Sequence, residues 1–421
     1  MPTTDRRRPS RRAVLKSAAA AAAAIPFHIV PRHCLGGPDA PAPPPSETVT
    51  GALIGVGGRG PGTFSGMVDQ FKKLNMGVKK VAECDVKYVG RADDKTLYTD
   101  FRRLLDRDDL DVVAIATPPH WHGLISIAAA QAGKDVLCEK PMTRTIAEGR
   151  AVVNAFKRYN RVYQVGTFGR FSVSRDKGKI ETHKLMRSGL LTPNPGVHVK
   201  AGGLKVKEWS GRPNVRIENP PKNLDWDLYC GPRPLKPFVG PRFGQTHRQY
   251  WDYDGGGLSD MGQHFTDPFQ WTYGKDDTSP VRVEAHAPPQ HPEVTGMWAW
   301  VELTYADGFT LVLDSREWGE PYDRKPAREP KVGDLSEADQ KKFKAIKDPA
   351  PLLTFAEAVV QRKEAGGNAE VSHRACTILN LATIAIRLGR PLTYDPVAER
   401  FENDEEANRL VDQPMRAPWH L

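Results

Sequence analysis

Cysteine is scarce in this 421-residue chain, and long apolar runs are missing. The five cysteines lie far apart and form no C-x-x-C pair, so the sequence indicates neither a disulfide framework nor a zinc site. The alanine-rich run from Ser17 to Ile25 is about half of the roughly 20 residues that a helix needs to cross a bilayer. We therefore expect no stable membrane span.

Clusters that mix basic and aromatic residues are missing as well. The formal net charge is +9, but residues 1–45 contain seven Lys or Arg and two acidic residues, so more than half of this charge lies in the leader. No later stretch interleaves clustered basic residues with aromatic ones, which argues against binding of nucleic acid. With 39% apolar and 26% charged residues the composition is that of a globular protein, and the length suits two domains.

The leader has a basic region ending in Arg11-Arg12, then the alanine-rich run, then a proline-rich stretch over Pro38–Pro45. Paired arginines ahead of a weakly apolar run resemble a twin-arginine (Tat) signal. A disordered basic tail that happens to contain two arginines is the alternative. We expect residues 1–45 to be a signal and leader that the Tat export machinery recognises, which implies a periplasmic or extracellular protein.

Strand-like and helix-like segments alternate between residues 46 and 170. Apolar runs such as Ala52–Val56 and Asp111–Ala116 are followed by segments with helical spacing, which predicts an α/β fold with a parallel sheet and right-handed crossovers. This is the doubly wound, dinucleotide-binding Rossmann arrangement. Residues 171–421 combine irregular Gly/Pro-rich stretches with alternating strands, and predict a second α/β domain. Its helical segment Ser372–Leu388 is expected to pack back on the first domain.

A glycine-rich motif follows the first predicted strand. Gly55-Val56-Gly57-Gly58-Arg59-Gly60 fits G-x-G-x-x-G, in which glycines let the backbone approach a pyrophosphate at a helix N-terminus. Asp85 ends the second strand 25 residues later, near the spacing expected for a carboxylate that binds ribose hydroxyls. A purely structural glycine turn is the alternative, but the two features together predict a dinucleotide site. Asp85 favours NAD because it would repel a 2′-phosphate, and Arg91 keeps NADP open.

Two further motifs lie at the carboxyl ends of predicted strands, where open α/β sheets bind ligands. They are Thr117-Pro118-Pro119-His120-Trp121-His122 and Glu139-Lys140-Pro141. From them we assign to the cofactor site Thr117, Pro118, His122, Glu139 and Lys140. The two histidines could instead bind a metal, but no third ligand is placed, so we expect no metal site. A solvated surface lysine is the alternative for Lys140.

An acid–base pair is indicated in the second domain. Gly255-Gly256-Gly257 precedes a stretch in which Asp260 and His264 would lie one helical turn apart on one face. A carboxylate beside an imidazole can set its tautomer and shift its pKa, as proton transfer requires. From the spacing alone, a hydrogen bond on the helix surface is an equal alternative.

Together these motifs resemble the Gfo/Idh/MocA family of oxidoreductases. The resemblance runs from about residue 48 to the C-terminus, and Glu139-Lys140-Pro141 is its most specific motif. It implies a Rossmann domain followed by an α/β domain with a large open mixed sheet, NAD or NADP as the cofactor, a sugar or polyol as the substrate, and homo-oligomers formed through that sheet. One departure is visible: Val86–Lys95 is short and poorly periodic where the family has a full helix, which bears on adenine binding.

For individual residues, the resemblance implies that Lys140 contacts the substrate hydroxyl and the nicotinamide, with a cis bond to the following proline. It also implies that His264 is the acid–base group, oriented by Asp260. Arg170 and, more loosely, Tyr253 fall where the family has substrate-side residues. The expected reaction is hydride transfer between a sugar C–H and nicotinamide, with Lys140 stabilising the developing alkoxide.

Export bears on how the cofactor is used. Because a free nicotinamide pool is not expected outside the cytoplasm, we expect a tightly bound cofactor that is recycled within each catalytic cycle. A second hypothesis is an NAD-dependent glycosidase in which transient oxidation of the sugar permits elimination of the glycosidic substituent. A third is a sugar-binding or cofactor-binding module without catalysis, against which the intact motif residues argue.

Overall fold

The computed structural model describes residues 48–191, 197–200, 203–324 and 329–421. The predicted signal and leader at residues 1–45 lie outside these ranges. Within them, no helix is long and apolar enough to cross a membrane. The same part of the chain contains no group of three or more His, Cys, Asp or Glu side chains that could hold a metal ion.

A six-stranded parallel sheet forms the core of the first half. Its strands are β1 Thr48–Ile54, β2 Gly77–Cys84, β3 Leu97–Tyr98, β4 Val112–Ile115, β5 Asp135–Cys138 and β6 Tyr163–Val165. The helices of this half are α1 Gly60–Lys72, α2 Phe101–Leu105, α3 His122–Gln131 and α4 Ile146–Tyr159. The strand order is β3-β2-β1-β4-β5-β6, so the direction of winding reverses between β1 and β4. The predicted Rossmann fold is confirmed, and this switch point is where such sheets bind ligands.

Local sequence explains where these elements begin and end. Every residue of β4 and β5 is buried, which accounts for their nearly continuous apolar character. The side chains of Asp100 and Thr145 accept backbone N–H bonds at the N-termini of α2 and α4, and Asn160 ends α4 in the left-handed conformation. The segment after β2 contains only a 3₁₀ turn over Val86–Tyr88 before β3, so the missing helix is confirmed.

The second half is built on a mixed sheet. The described elements are α5 Gly169–Val173, α6 Lys177–Arg187, β7 Val197–Lys200, α7 Trp226–Cys230, α8 Gly256–Thr272, β8 Arg282–His286, β9 Trp300–Thr304, β10 Thr310–Asp314, α9 Glu337–Lys344, α10 Phe355–Gln361, α11 Ala369–Leu388, β11 Leu392–Asp395, β12 Arg400–Phe401 and α12 Glu405–Val411. The strand order is β12-β11-β8-β9-β10-β7, antiparallel except where β7 pairs parallel with β10. The predicted open mixed sheet is therefore confirmed.

Two helices of the second half return to the first. Phe355 of α10 packs edge-on against Phe71 of α1, with ring centroids 6.3 Å apart. Helix α11 begins in the core of the parallel sheet, which includes Ala369 and Cys376, and continues into the core of the mixed sheet, which includes Leu379. It also packs against α4 and α8. The two halves consequently share one helix, and α8 is held against the carboxyl edge of the parallel sheet.

Candidate active site

A cavity of about 700 Å³ lies at the carboxyl ends of β1, β2, β4 and β5. Its opposite wall comes from the second half, through residues 228–229, 243–248 and the start of α8. The predicted residues that line it are Gly55, Gly57, Gly58, Arg59, Asp85, Thr117, Pro118, Glu139, Lys140, Asp260 and His264. The other four predicted residues, Gly60, His122, Arg170 and Tyr253, lie behind the wall.

The glycine loop is folded so tightly that side chains are excluded from it. Gly55 has a φ of +88°, and a Cβ there would lie 2.6 Å from the carbonyl carbon of Ala116. A Cβ at Gly60 would overlap the carbonyl oxygen of Gly55. Since Gly57 and Gly58 face the cavity directly ahead of α1, bare backbone and a helix N-terminus form its floor. This cradle fits the pyrophosphate of a dinucleotide.

Glu139 ties this loop to the next motif. Its Oε1 accepts hydrogen bonds from Arg59 Nε at 3.1 Å and from Thr63 Oγ1 at 2.6 Å. Both bonds connect the end of β5 to the first turn of α1. Glu139 therefore fixes the loop relative to Lys140, the residue that follows it, and this anchoring explains its place at the cofactor site.

Asp85 lies at the tip of β2 with its carboxylate toward the cavity. Oδ2 accepts the backbone N–H of Val56 at 3.0 Å, and Oδ1 accepts that of Lys87 at 3.0 Å. Each carboxylate oxygen retains capacity for a further hydrogen bond. The geometry thus presets an acceptor pair for ribose hydroxyls beside the glycine loop, as NAD requires.

The loop after β4 contains two predicted cofactor residues, Thr117 and His122, and they differ in their position relative to the cavity. Thr117 lines the cavity, and its Oγ1 is buried in the wall without a hydrogen-bond partner among the described residues. His122 is only 1% exposed, with Nδ1 at 2.7 Å from the Pro141 carbonyl and Nε2 at 2.8 Å from the Thr117 carbonyl. Its ring braces two loops and does not reach the cavity, so the prediction of cofactor contact is corrected to a supporting role. His120 Nε2 similarly lies 2.8 Å from the Tyr229 carbonyl.

Lys140 and Asp260 meet across the cavity. Lys140 Nζ donates to Asp260 Oδ1 at 2.8 Å and to the Asp260 carbonyl at 2.6 Å, and the Lys140–Pro141 peptide is cis, as the resemblance implied. Arg248 Nε forms an ion pair with the same Oδ1 at 2.8 Å. The expectation that Asp260 orients His264 is therefore corrected: its carboxylate is taken up by two cations and positions the lysine.

His264 lies in the same cavity wall, one helical turn after Asp260. Burial, followed by the neighbouring Lys140 charge, holds the pKa of His264 below its ordinary value of 6.5. The imidazole is therefore neutral at neutral pH and can accept a proton from a hydroxyl group.

Both residues predicted on the substrate side are structural. Arg170 is 1% exposed; its Nε bonds Asp267 Oδ1 at 2.8 Å and its Nη2 bonds Asp276 Oδ1 at 2.8 Å. Tyr253 is 0% exposed, and its hydroxyl lies 3.6 Å from Cys230 Sγ. Neither side chain faces the cavity, because each is enclosed by the body of the second half.

The segment 243–248 was missed as part of the site. Gln245, His247 and Arg248 line the cavity, and Gln245 Nε2 lies 2.6 Å from where a Cβ on Gly58 would be. Only 3₁₀ turns occur here, so no periodicity marked the segment. The one available signal was the presence of a histidine and an arginine in a Gly/Pro-rich stretch shortly before Gly255-Gly256-Gly257.

Family models cover most of the chain. The model described as "Oxidoreductase family, NAD-binding Rossmann fold" matches residues 52–167. The model described as "Oxidoreductase family, C-terminal alpha/beta domain" matches residues 177–421. The two matches coincide with the two sheets.

Individual relatives are similar over shorter stretches. The chain is 37% identical over 116 residues to a levoglucosan dehydrogenase of Pseudarthrobacter phenanthrenivorans, which covers 28% of each chain. It is 34% identical over 174 residues to a glycosyl hydrolase family 109 protein of Shewanella baltica, covering 35% of this chain and 37% of that protein. The chain thus matches well under half the length of these curated relatives.

Among solved structures, the fold is similar to that of the WlbA dehydrogenase from Bordetella pertussis in complex with NADH and UDP-GlcNAcA. The TM-score is 0.54 and the identity is 15%, over 83% of this chain and 99% of that chain. At this identity the likeness concerns the fold.

Proposed function

Because the chain belongs to the Gfo/Idh/MocA family of NAD-binding oxidoreductases, we propose that it oxidises a secondary hydroxyl of a sugar or related polyol. The observation that carries the proposal is that Lys140 and His264, from different halves of the chain, line one cavity with the glycine loop. A site for cofactor binding alone has no need of either a held lysine or a neutral imidazole.

The residues have separable roles. When bound, NAD would supply the acceptor for hydride. Two of the three Lys140 Nζ hydrogens are directed to Asp260, which leaves one for the substrate oxygen. That hydrogen stabilises the negative charge that develops on the oxygen as the C–H bond weakens. His264, held neutral by burial and by the lysine charge, takes the hydroxyl proton.

The experiment is a single-turnover assay with levoglucosan, myo-inositol and D-glucose. Protein loaded with NAD is mixed with each compound, and the near-ultraviolet absorbance of reduced nicotinamide is followed while products are identified by mass spectrometry. Reduction of bound NAD together with formation of a ketone is the expected result. Binding of NAD without reduction by any carbohydrate, including a wider panel of aryl glycosides, would contradict the proposal.

We further propose that the protein is exported through the Tat route, keeps its cofactor through many turnovers and forms homo-oligomers through the mixed sheet. The leader sequence supports export, and segment 243–248 supports retention because it covers the glycine loop through Gln245. Purified protein should release NAD or NADH only on denaturation, as seen by mass spectrometry of the supernatant. Accumulation of free NADH in proportion to product would indicate an ordinary dehydrogenase. The proposed homo-oligomer is tested separately by measuring the molar mass in solution with light scattering.

A redox-cycling glycosidase is the second candidate. The similarity to the glycosyl hydrolase family 109 protein favours it. In this reaction the sugar is oxidised transiently, a neighbouring C–H proton is lost and the glycosidic substituent leaves. Water then adds to the resulting unsaturated ketone, the neighbouring carbon takes up a proton from solvent, and the ketone is reduced again. Solvent deuterium should then enter the product at the carbon beside the transiently oxidised one. If the bound cofactor is recycled but no solvent deuterium enters the product, the remaining explanation is that oxidation of one sugar is coupled to reduction of another.

A further inference from the structure

A second histidine and aspartate line the cavity, apart from the residues used above. His247 lies in the 3₁₀ turn over Gly244–Gln249, and Asp254 directly precedes the glycine triplet at the start of α8. His247 is 8% exposed and Asp254 is 1% exposed, yet both side chains reach the cavity surface. The pair is therefore almost wholly buried and borders the ligand space.

Each of the two side chains has one polar atom satisfied and one that is not. His247 Nδ1 donates to the Gly244 carbonyl at 2.6 Å, and Asp254 Oδ1 accepts the Gly255 N–H at 2.7 Å. His247 Nε2 and Asp254 Oδ2 lie 3.6 Å apart, beyond the usual length of an N–H···O bond. Neither atom has a hydrogen-bond partner among the described residues. Since unpaired buried polar atoms are costly, their position in a cavity wall points to a ligand.

The charges around the pair restrict what that ligand can be. Burial alone would raise the pKa of Asp254, but His247, with Arg144 and Arg248 nearby, holds it below its ordinary value. Asp254 is thus an ionised carboxylate, which accepts hydrogen bonds and donates none. A hydroxyl group can donate to a carboxylate oxygen while its own oxygen accepts a hydrogen bond from His247 Nε2. That nitrogen carries a proton alongside Nδ1 in the imidazolium form of the ring, which forms the ion pair with Asp254.

We propose that His247 and Asp254 form a second hydroxyl-binding site for the substrate. One oxygen can lie roughly 2.7–2.9 Å from both Asp254 Oδ2 and His247 Nε2 when these atoms are 3.6 Å apart. The proposal rests on the proposed function and adds to it: the substrate carries a hydroxyl beyond the one that is oxidised. Because Asp254 is joined to α8 through the glycine triplet, its distance to His264 is set by the backbone, so the pair selects between hydroxyl patterns.

The test combines two variants with deoxy analogues of the carbohydrate. Asp254→Asn removes the carboxylate charge, and His247→Gln keeps an N–H donor at similar reach. Asp252→Asn is the matched control, since Asp252 lies two residues from Asp254 and pairs with Lys236 at 3.0 Å outside the cavity lining. The most active compound among levoglucosan, myo-inositol and D-glucose is compared with each of its monodeoxy analogues. NADH affinity is measured by fluorescence titration, and folding is monitored by thermal melting.

For wild-type protein, removal of one particular hydroxyl other than the oxidised one should lower kcat/KM by about 10- to 100-fold. Without that hydroxyl, the side chains of His247 and Asp254 are left without a hydrogen-bond partner in the complex. In Asp254→Asn, this preference for the complete carbohydrate over its deoxy analogue should largely vanish. The variant should have a raised KM, little change in kcat and unchanged NADH affinity. His247→Gln should retain part of the preference for the complete carbohydrate, and the control Asp252→Asn should retain all of this preference.

Other outcomes overturn the proposal. If both variants keep the wild-type preference, or lose it only in proportion to thermal stability, the pair does not bind substrate. Parallel loss of NADH affinity would assign the pair to the nicotinamide carboxamide. A wild-type protein that binds NAD but neither oxidises nor binds any of the compounds would contradict the proposed function as well, which distinguishes the two failures.

Discussion

Replacing Lys140 with methionine separates catalysis from folding in this site. Lys140 and Asp260 form an ion pair whose side chains are 13% and 9% exposed. Breaking such a pair commonly costs about 3–5 kcal/mol, because the remaining charge is left uncompensated. Here Arg248 Nε stays 2.8 Å from the same carboxylate oxygen, so Asp260 keeps a partner. We therefore expect Lys140→Met to reduce the free energy of unfolding by less than about 2 kcal/mol and the Tm by no more than roughly 5 °C.

The effect on turnover should be far larger. Removing one donor to a developing oxyanion lowers kcat by about 10²- to 10³-fold, or roughly 3–4 kcal/mol of barrier. Stopped-flow single turnovers with NAD-loaded protein measure this rate, and Lys236→Met is the control because Lys236 is an ion-paired lysine outside the cavity lining. A rate within tenfold of wild type would refute the catalytic assignment. So would a loss of activity that simply follows a loss of Tm.

Three further expectations concern His264, Arg170 and the glycine loop. Since the pKa of His264 is held below 6.5, activity should fall as pH drops through that lowered value, and His264→Asn should lose this acid limb from the profile of kcat/KM against pH along with at least about 10²-fold in rate. Arg170→Met should reduce the free energy of unfolding by about 3–5 kcal/mol in denaturant titrations and leave KM unchanged, because the negative charge of buried Asp267 loses its cationic partner. A raised KM with normal stability would restore the substrate-side role. Gly60→Ala should abolish NADH binding in fluorescence titrations, because a Cβ at this position has no space. In the control Gly66→Ala, in the same helix, the added Cβ meets nothing within 4 Å, and the variant should be more stable by about 0.5–1 kcal/mol. Equal behaviour of the two variants would show that the loop is not tightly packed.

Local patterns predicted the parallel sheet well because each signal there is complete within a few residues. The buried run that forms β4 and the glycine motif both depend on neighbours in the chain. The same holds for the absence of a helix after β2. Such features need no knowledge of distant contacts, which is why sequence reasoning located them closely.

Side-chain roles were harder because they depend on partners far away in sequence. Arg170 has the residue type and position of a substrate ligand, but Asp267 and Asp276, about one hundred residues later, enclose it. Asp260 and His264 do lie one turn apart, yet the carboxylate is claimed by Lys140 from the other half of the chain. Nothing in the spacing of α8 could show that a lysine 120 residues earlier would arrive there.

Helix α11 has a consequence for how the enzyme meets its substrate. Its first turns belong to the core of the parallel sheet, its later turns belong to the core of the mixed sheet, and it packs along the helix that bears His264. Hinge-bending enzymes place a flexible connection between their halves, but here a change of angle would have to break hydrogen-bonded turns within a 20-residue helix. The groups that we propose to react are consequently preassembled, and the proposed carbohydrate substrate would have to fit a fixed arrangement without closure of the two halves. Free and ligand-bound molecules should therefore superpose closely in their two sheets.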